Sequence, residues 1–118
     1  MASIKLTPCG DLYELIEDAC VLYQGVNVIV KAGFRYDGAS IPSIFWQAIG
    51  SPFHPAFMRA ALFHDSIYKS HVRPKDFADS LFHTLLKEDG VCEIKALQMY
   101  EAVKIFGQAF WDANKPSN

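Results

Sequence analysis

The hydrophobic pattern of this chain changes its period once, near the middle, and this change limits the possible folds more than any other feature. Residues 12–36 contain short runs of β-branched and aromatic side chains, whereas residues 43–112 carry apolar side chains at steps of three and four. The first pattern is typical of strands and the second of amphipathic helices. We therefore predict an α+β fold in which a small N-terminal antiparallel β meander packs on three main α-helices.

The strand region is divided by short polar connections. The connection that contains Gly25 is two residues long and permits a tight antiparallel turn. Gly38 and Pro42 then interrupt regular structure, so we predict a loop over residues 37–42. The three predicted strands cover residues 12–16, 19–23 and 26–31.

Proline and glycine mark the ends of the predicted helices. Pro55 and Pro74 suit the first turns of two helices, and Gly90 is placed to end the second of them. Ser43 can cap a shorter helix before them. The main helices are predicted at about residues 55–70, 75–88 and 92–112, followed by a frayed tail at 113–118. A chain of 118 residues can bury its own core, so we expect a single domain over residues 1–118.

Composition excludes several classes of protein. The chain is 51% hydrophobic with a formal net charge of −2, so it is neither disordered nor basic enough to bind a phosphate backbone, and we expect no nucleic-acid partner. No apolar run approaches the roughly 20 residues that span a bilayer, so we expect no transmembrane segment. Three widely spaced cysteines indicate neither a disulfide framework nor a thiolate zinc site, which favours a reducing cytoplasm.

The segment "AALFHDSIYK" places polar side chains on a helix face that otherwise carries core residues. Phe57, Ala61, His64 and Tyr68 recur at steps of three or four, so His64 and Tyr68 point where core side chains point. Asp65 also begins on a largely apolar surface. Buried titratable groups need partners, and this segment is therefore the first candidate for a functional site.

Asp79 on the following helix is the predicted partner of His64. The short connection "SHVRP" makes the two helices antiparallel neighbours, and both residues lie at nearly equal distances from that turn. A carboxylate that holds one imidazole nitrogen leaves the other to accept a proton, as a general base requires. We therefore predict a hydrogen bond between His64 and Asp79. Asp76 is the competing residue, but its place in the first helical turn is explained by the helix dipole.

Four segments together resemble a small family of phage and prophage proteins of unknown function. They are "GFRYDGASIPSIFW", "RAALFHDSIY", "FADSLFHTLL" and "MYEAVKIFG", and they cover most of the chain. The resemblance implies a viral or prophage origin. It also implies synthesis in the host cytoplasm and, for a virion component, later incorporation in the particle.

A narrower resemblance concerns chemistry. H-D-x-x-Y on one helix followed by A-D-x-x-F on the next is similar to the phospholipase A2 domains of parvovirus capsids. That resemblance implies hydrolysis of a phospholipid or another ester. It assigns the general base to His64, the partner of that histidine to Asp79, a supporting phenol to Tyr68 and a Ca²⁺-binding carboxylate to Asp65.

The calcium loop of those domains, Y-x-G-x-G, is only partly present. Tyr36 and Gly38 match it and are the remaining predicted calcium residues, while Ser40 stands where the second glycine would be. Asp37 and Ser40 are predicted to support the site from the same loop. We also expect this loop to form the wall over His64, because catalytic loops are carried by rigid scaffolds.

Two other interpretations remain open from the sequence. His54, the His64–Asp65 pair and Asp79 match the ligand types of a metal-dependent phosphohydrolase. The spacing disfavours it, because His54 and His64 are ten residues apart on one predicted helix, about 15 Å of rise. The second is a non-enzymatic virion or assembly protein, in which the same polar residues form a buried hydrogen-bond network and aromatic side chains face other phage virion proteins.

Overall fold

The computed structural model describes residues 5–10, 12–36 and 55–114. Antiparallel strands come first and helices follow, which confirms the predicted α+β class. The chain divides into two compact units, Met1–Asp37 and Gly38–Asn118. The predicted loop at 37–42 and the short helix expected after Ser43 lie outside the described residues. The single-domain organisation stays a prediction.

The N-terminal unit contains two small antiparallel sheets. The turn at Gln24 and Gly25, with φ values of 50° and 76°, joins the two strands of one sheet, as predicted for a two-residue connection. The strands are β1 (Leu6–Cys9), β2 (Leu12–Leu15), β3 (Ala19–Tyr23), β4 (Val26–Val30) and β5 (Arg35–Tyr36). The sheets have the orders β1-β2-β5 and β3-β4.

The pairing is more complex than a simple meander. β2 pairs with β1 and β5, and the β3–β4 hairpin is inserted between these strands in the chain. The Asp18 carboxylate ties the two ends of the insertion together, because it accepts hydrogen bonds from Ala32 N at 2.8 Å and from Lys31 Nζ at 3.3 Å. Neither β1 nor the two-residue β5 was predicted from the sequence.

The C-terminal unit contains four described helices. The first two match the predicted bounds, and Gly90, with φ of 98°, ends the second as expected. The predicted last helix is instead divided at Gly107 into a long and a short helix. The helices are α1 (Pro55–Ser70), α2 (Lys75–Glu88), α3 (Glu93–Phe106) and α4 (Gln108–Ala113).

The core of this unit lies where α1, α2 and α3 meet. α1 packs on α2, α2 packs on α3, and α4 contacts both α3 and α1. Burial of the apolar side chains between these helices is the main stabilising contribution to the helix hairpin, at about 25 cal/mol per Å² of apolar surface. Large apolar side chains buried in this core include Leu62, Phe63, Ile67, Leu81, Phe82, Leu85, Leu86, Met99 and Val103. Within the described ranges, no helix is long and apolar enough to cross a membrane.

Candidate functional site

The candidate site is built across the α1–α2 hairpin, close to the turn that joins the two helices. His64 and Tyr68 lie one turn apart on α1, and Lys75 and Asp79 lie one turn apart on α2. Both pairs face the contact between the helices, so four polar side chains meet inside an apolar core. We call these four residues the polar network.

Asp79 is the centre of the polar network. Its Oδ1 is 2.7 Å from His64 Nε2 and accepts a hydrogen bond of 2.7 Å from the Tyr68 hydroxyl. Its Oδ2 accepts a hydrogen bond of 2.8 Å from Lys75 Nζ. The predicted hydrogen bond between His64 and Asp79 is therefore confirmed, and Tyr68 joins the same carboxylate. The catalytic roles assigned to these residues stay predictions.

The network is removed from water, and this decides its charges. His64 is 0% exposed and Asp79 is 1% exposed. Burial tends to raise the pKa of Asp79, but the hydrogen bonds from His64, Lys75 and Tyr68 outweigh it and lower that pKa. Burial lowers the pKa of His64, against the opposing effect of Asp79. Burial and the Asp79 charge together raise the pKa of Tyr68. At neutral pH the network thus holds a carboxylate, a neutral imidazole and a neutral phenol.

These charges fix the position of the imidazole proton. An ionised carboxylate can only accept hydrogen bonds, so His64 Nε2 must carry the hydrogen that it donates to Asp79. A neutral imidazole has one N–H, and Nδ1 therefore holds the basic lone pair. Nδ1 is the atom through which His64 can take up a proton.

Aromatic rings contact His64 and Tyr68 of the network. The His64 ring lies 4.1 Å from the Tyr68 ring and 5.0 Å from the Phe82 ring, measured between centroids. Trp111 meets Tyr68 edge-on at 5.2 Å. His71, just after the end of α1, stacks against Trp111 at 3.7 Å and donates a hydrogen bond of 2.9 Å to the Trp111 carbonyl. These contacts join the end of α1 to α4.

Lys75 is the member of the network that sequence reasoning missed. Its ammonium also donates hydrogen bonds to the carbonyls of Val103 at 3.2 Å and Lys104 at 3.1 Å. The spacing of four residues between Lys75 and Asp79 was a signal for this ion pair. A lysine in a first helical turn is usually solvated, however, and it is the end of α3 that covers this one.

The predicted calcium site lies only partly within the described residues and stays a prediction. Asp65 is fully buried and has interactions of its own. A single carboxylate supplies at most two of the six to eight oxygen ligands that Ca²⁺ takes. Asp37, Gly38 and Ser40, and with them the predicted wall over His64, lie outside the described residues. Tyr36 is described and buried, and it belongs to the N-terminal unit.

The phosphohydrolase interpretation gains no support from the geometry. Over residues 5–10, 12–36 and 55–114, no group of three or more His, Cys, Asp or Glu side chains could hold a metal ion. His54 lies outside those ranges. His64 and Asp79 bind each other directly, and Lys75 occupies the second oxygen of the carboxylate.

Comparisons with known proteins place the network within a shared region. A family model described as "Protein of unknown function (DUF1353)" matches residues 13–103, which include all four residues of the polar network. The chain is similar to the uncharacterized protein y4jT of Sinorhizobium fredii (strain NBRC 101917 / NGR234), with 37% identity over 84 residues. The uncharacterized protein y4iH of the same strain is 35% identical over 84 residues.

Both relatives are much longer than the matched region. The aligned residues are 71% of this chain, but only 25% of y4jT and 35% of y4iH. The shared region is therefore one part of those proteins. No solved structure matches this chain significantly.

Proposed function

The chain belongs to the DUF1353 family of proteins of unknown function, and we propose that its polar network is the active site of a small hydrolase. In this proposal His64 is the general base and Asp79 orients it. The observation that carries the proposal is the 2.7 Å hydrogen bond from His64 Nε2 to an ionised Asp79. That bond presents Nδ1 as the proton acceptor, which is the arrangement that general-base histidines need.

An ester is the substrate class that this arrangement suits best, and a phospholipid is the first candidate. Because His64 is 0% exposed, the site must open to admit water and the ester. His64 Nδ1 then takes a proton from water while the water oxygen forms a bond to the ester carbonyl carbon. The bond between that carbon and the leaving oxygen then breaks, and the proton passes from Nδ1 to the leaving alkoxide. Asp79 stabilises the imidazolium that exists between these two transfers. Support for the lipid class comes from the two-helix motif, since Tyr68 meets Asp79 beside His64.

The test compares the wild type with His64→Gln and with the control His83→Gln. Gln fills a volume similar to that of His and keeps one hydrogen bond, but it cannot accept and return a proton near neutral pH. His83 lies on α2 outside the network, where it stacks on Tyr100. Each protein is assayed on phosphatidylcholine vesicles and on simple p-nitrophenyl esters, with added Ca²⁺ or with chelator.

We expect the wild type and His83→Gln to hydrolyse at least one ester. We expect His64→Gln to lose about 100-fold or more in kcat, since general-base catalysis contributes roughly 10²- to 10⁴-fold. Retained turnover in His64→Gln would show that His64 is not the base. A wild type that hydrolyses no ester under either condition would contradict the hydrolase proposal.

The burial of His64, Tyr68 and Asp79 favours a second candidate, a non-enzymatic assembly protein of phage or prophage origin. All three hydrogen bonds to Asp79 come from the protein itself, and such a network can fix a single packing of two helices. α3 also presents exposed apolar side chains that a virion protein could cover, namely Ile94, Leu97, Ile105 and Phe106. In this case the chain is made in the host cytoplasm and is then incorporated in the particle.

The same variants distinguish the two candidates. An assembly protein is inactive on every ester, and His64→Gln lowers its free energy of unfolding by about 1 kcal/mol, because the amide keeps the hydrogen bond to Asp79 but loses the ring contacts with Tyr68 and Phe82. Detection of the chain by mass spectrometry in purified phage particles would support this candidate. An active wild type with an equally stable His64→Gln variant would contradict it.

A further inference from the structure

Lys75 holds Asp79 from the side opposite to His64 and Tyr68. The two oxygens of the carboxylate are divided between their partners, with His64 and Tyr68 on Oδ1 and Lys75 on Oδ2. Rotation of the carboxylate plane away from this orientation would break all three hydrogen bonds. The carboxylate therefore has one orientation, and Lys75 is the residue that fixes its second oxygen.

The Lys75 side chain is itself held by α3. Its ammonium has three donors, and they are directed at Asp79 Oδ2, Val103 O and Lys104 O. The last carbonyls of a helix lack partners within that helix and carry partial negative charge. The Lys75 ammonium binds two of these carbonyls, of which Val103 O also accepts a hydrogen bond from Gly107 N, and the lysine side chain is only 13% exposed. The flexible lysine side chain is thus held by Asp79 on α2 and by two carbonyls of α3.

Lys75 also balances the charge of the network. The ionised Asp79 and the protonated Lys75 sum to zero, so His64 and Tyr68 can remain neutral inside the core. Without the lysine, a single buried negative charge would favour uptake of a proton by the His64–Asp79 pair. Uptake of that proton would remove either the acceptor for His64 Nε2 or the lone pair at Nδ1.

We propose that Lys75 is a positioning residue, which holds Asp79 so that His64 keeps its hydrogen on Nε2 and its lone pair on Nδ1. This inference rests on the proposed function of the network as a hydrolytic site. It assigns no contact between Lys75 and the substrate. It predicts that the cation, rather than only the packing of the side chain, is needed for activity.

The experiment uses the whole chain as wild type, Lys75→Met, Lys75→Arg and Lys87→Met. Met removes the charge with little change in volume, and Arg restores a cation. Lys87 is an exposed lysine on the same helix and serves as the matched control. Long-range ¹⁵N–¹H spectra at pH 7.5 report which ring nitrogen of His64 carries hydrogen, and ester hydrolysis is measured beside them.

We expect wild type, Lys75→Arg and Lys87→Met to show His64 protonated at Nε2 alone. We expect Lys75→Met to lose this single tautomer and about 10- to 100-fold in kcat, with KM changed by less than about twofold. Unchanged His64 ring signals in Lys75→Met would overturn the inference. If Lys75→Met does not fold, altered His64 signals in Lys75→Arg would overturn it equally.

The outcomes separate this inference from the proposed function. A wild type without ester hydrolysis contradicts the hydrolase, while the ring signals still decide whether Lys75 fixes the tautomer. An active wild type whose Lys75→Met variant keeps both its rate and its His64 signals contradicts the role of Lys75 alone.

Discussion

The α1–α2 hairpin carries a polar bridge near each of its ends, and the two bridges differ in nearly every respect. Far from the turn, Arg59 donates hydrogen bonds of 3.0 and 3.1 Å to Asp89 and one of 2.9 Å to Glu88. We call these three residues the Arg59 bridge. Near the turn, the polar network joins the same helices through a buried imidazole and a buried carboxylate.

The Arg59 bridge is mostly buried but has one exposed partner. Its guanidinium has two carboxylates, and the Glu88 side chain is 51% exposed. Burial opposes the charge of Arg59, but hydrogen bonds to Asp89 and Glu88 raise its pKa. Water can reach Glu88 and solvate it when its hydrogen bond to Arg59 breaks. Asp79 in the network is only 1% exposed, so water cannot replace its partners in the same way.

The two bridges differ in how completely their charged groups are buried. The Arg59 bridge joins α1 and α2 and keeps one of its partners, Glu88, in contact with water. Burying an imidazole beside a charged carboxylate costs more than packing apolar side chains of the same volume. The desolvation of His64 and Asp79 near the α1–α2 turn carries this cost. A residue pair that is costly to bury favours a chemical use for the network.

The largest effect that would test this comparison is expected for Asp79→Ala. The change leaves His64, Tyr68 and Lys75 without their shared acceptor in the core, and removal of one partner of a buried pair costs about 3–5 kcal/mol. We expect that decrease in the free energy of unfolding measured with urea. The matched variant Asp89→Ala should lower it by only about 1–2 kcal/mol, because Glu88 still binds Arg59. Equal decreases would mean that the two bridges have the same energetic weight.

The sequence predicted those parts of the molecule that depend on local spacing. The meeting of His64 and Asp79 follows from two facing helices and a short connection, since equal distances from the turn place residues opposite each other. The β3–β4 hairpin follows from two strands and a two-residue turn. Pairing of β2 with β5 was missed because the inserted hairpin separates the partners in the chain, and β5 is too short to show a pattern.

Two features of the site depend on contacts between distant segments. The apolar pattern continues through Gly107, so the break between α3 and α4 has no periodic signal in the sequence. The glycine at this break lies against α1, since a Cβ at Gly107 would lie 2.7 Å from the Tyr68 hydroxyl. Lys75 is similar, since the carbonyls that hold it come from residues 28 and 29 positions further along.

Gly107 and Gly90 provide the next test, because Gly107 adjoins the network and Gly90 follows Asp89 of the Arg59 bridge. In Gly107→Ala the new methyl group would collide with the Tyr68 hydroxyl and with the Val103 carbonyl oxygen. Overpacking of this kind costs about 1–3 kcal/mol. Gly90 has no heavy atom within 4 Å of an added Cβ, and its φ of 98° leaves backbone strain as the main cost.

We therefore expect Gly90→Ala to lower the free energy of unfolding by about 1 kcal/mol and to leave the network unchanged. Gly107→Ala should lower it further and should also move the ring signals of His64 in ¹⁵N–¹H spectra, through displacement of Tyr68. Unmoved His64 signals in Gly107→Ala would show that the α3–α4 break is independent of the network.

The dependence of stability on pH gives a smaller effect. The pKa of His64 is lowered below 6.5 by burial, so the unfolded chain binds a proton that the folded chain does not. The free energy of unfolding therefore has its full value with respect to His64 above pH 6.5, and it decreases as the pH falls below 6.5. One histidine sets a limit of about 2 kcal/mol for this decrease at pH 5. Asp79 adds a decrease only below pH 3.8, because its pKa is also lowered.

Urea titrations between pH 7.5 and pH 5 measure this decrease. Burial also lowers the pKa of His83, which contributes in the same direction. We expect the decline to become shallower in His64→Gln and to remain nearly complete in His83→Gln. A decline that persists unchanged in His64→Gln would assign the pH dependence to groups outside the network.

The smallest effect is expected when one partner is removed from each bridge, namely Tyr68 from Asp79 and Glu88 from Arg59. Tyr68→Phe removes one of the two hydrogen bonds to Asp79 Oδ1 and leaves the ring in place. A hydrogen bond to a charged group contributes about 1.5 kcal/mol, and water has little access to replace this one because Tyr68 is 1% exposed. Glu88→Ala removes an exposed partner of Arg59 and should cost less than about 0.5 kcal/mol. Urea unfolding of both variants at pH 7.5 resolves a difference of this size. If the two costs are equal, burial does not separate the bridges, and desolvation cost does not favour a chemical role for His64.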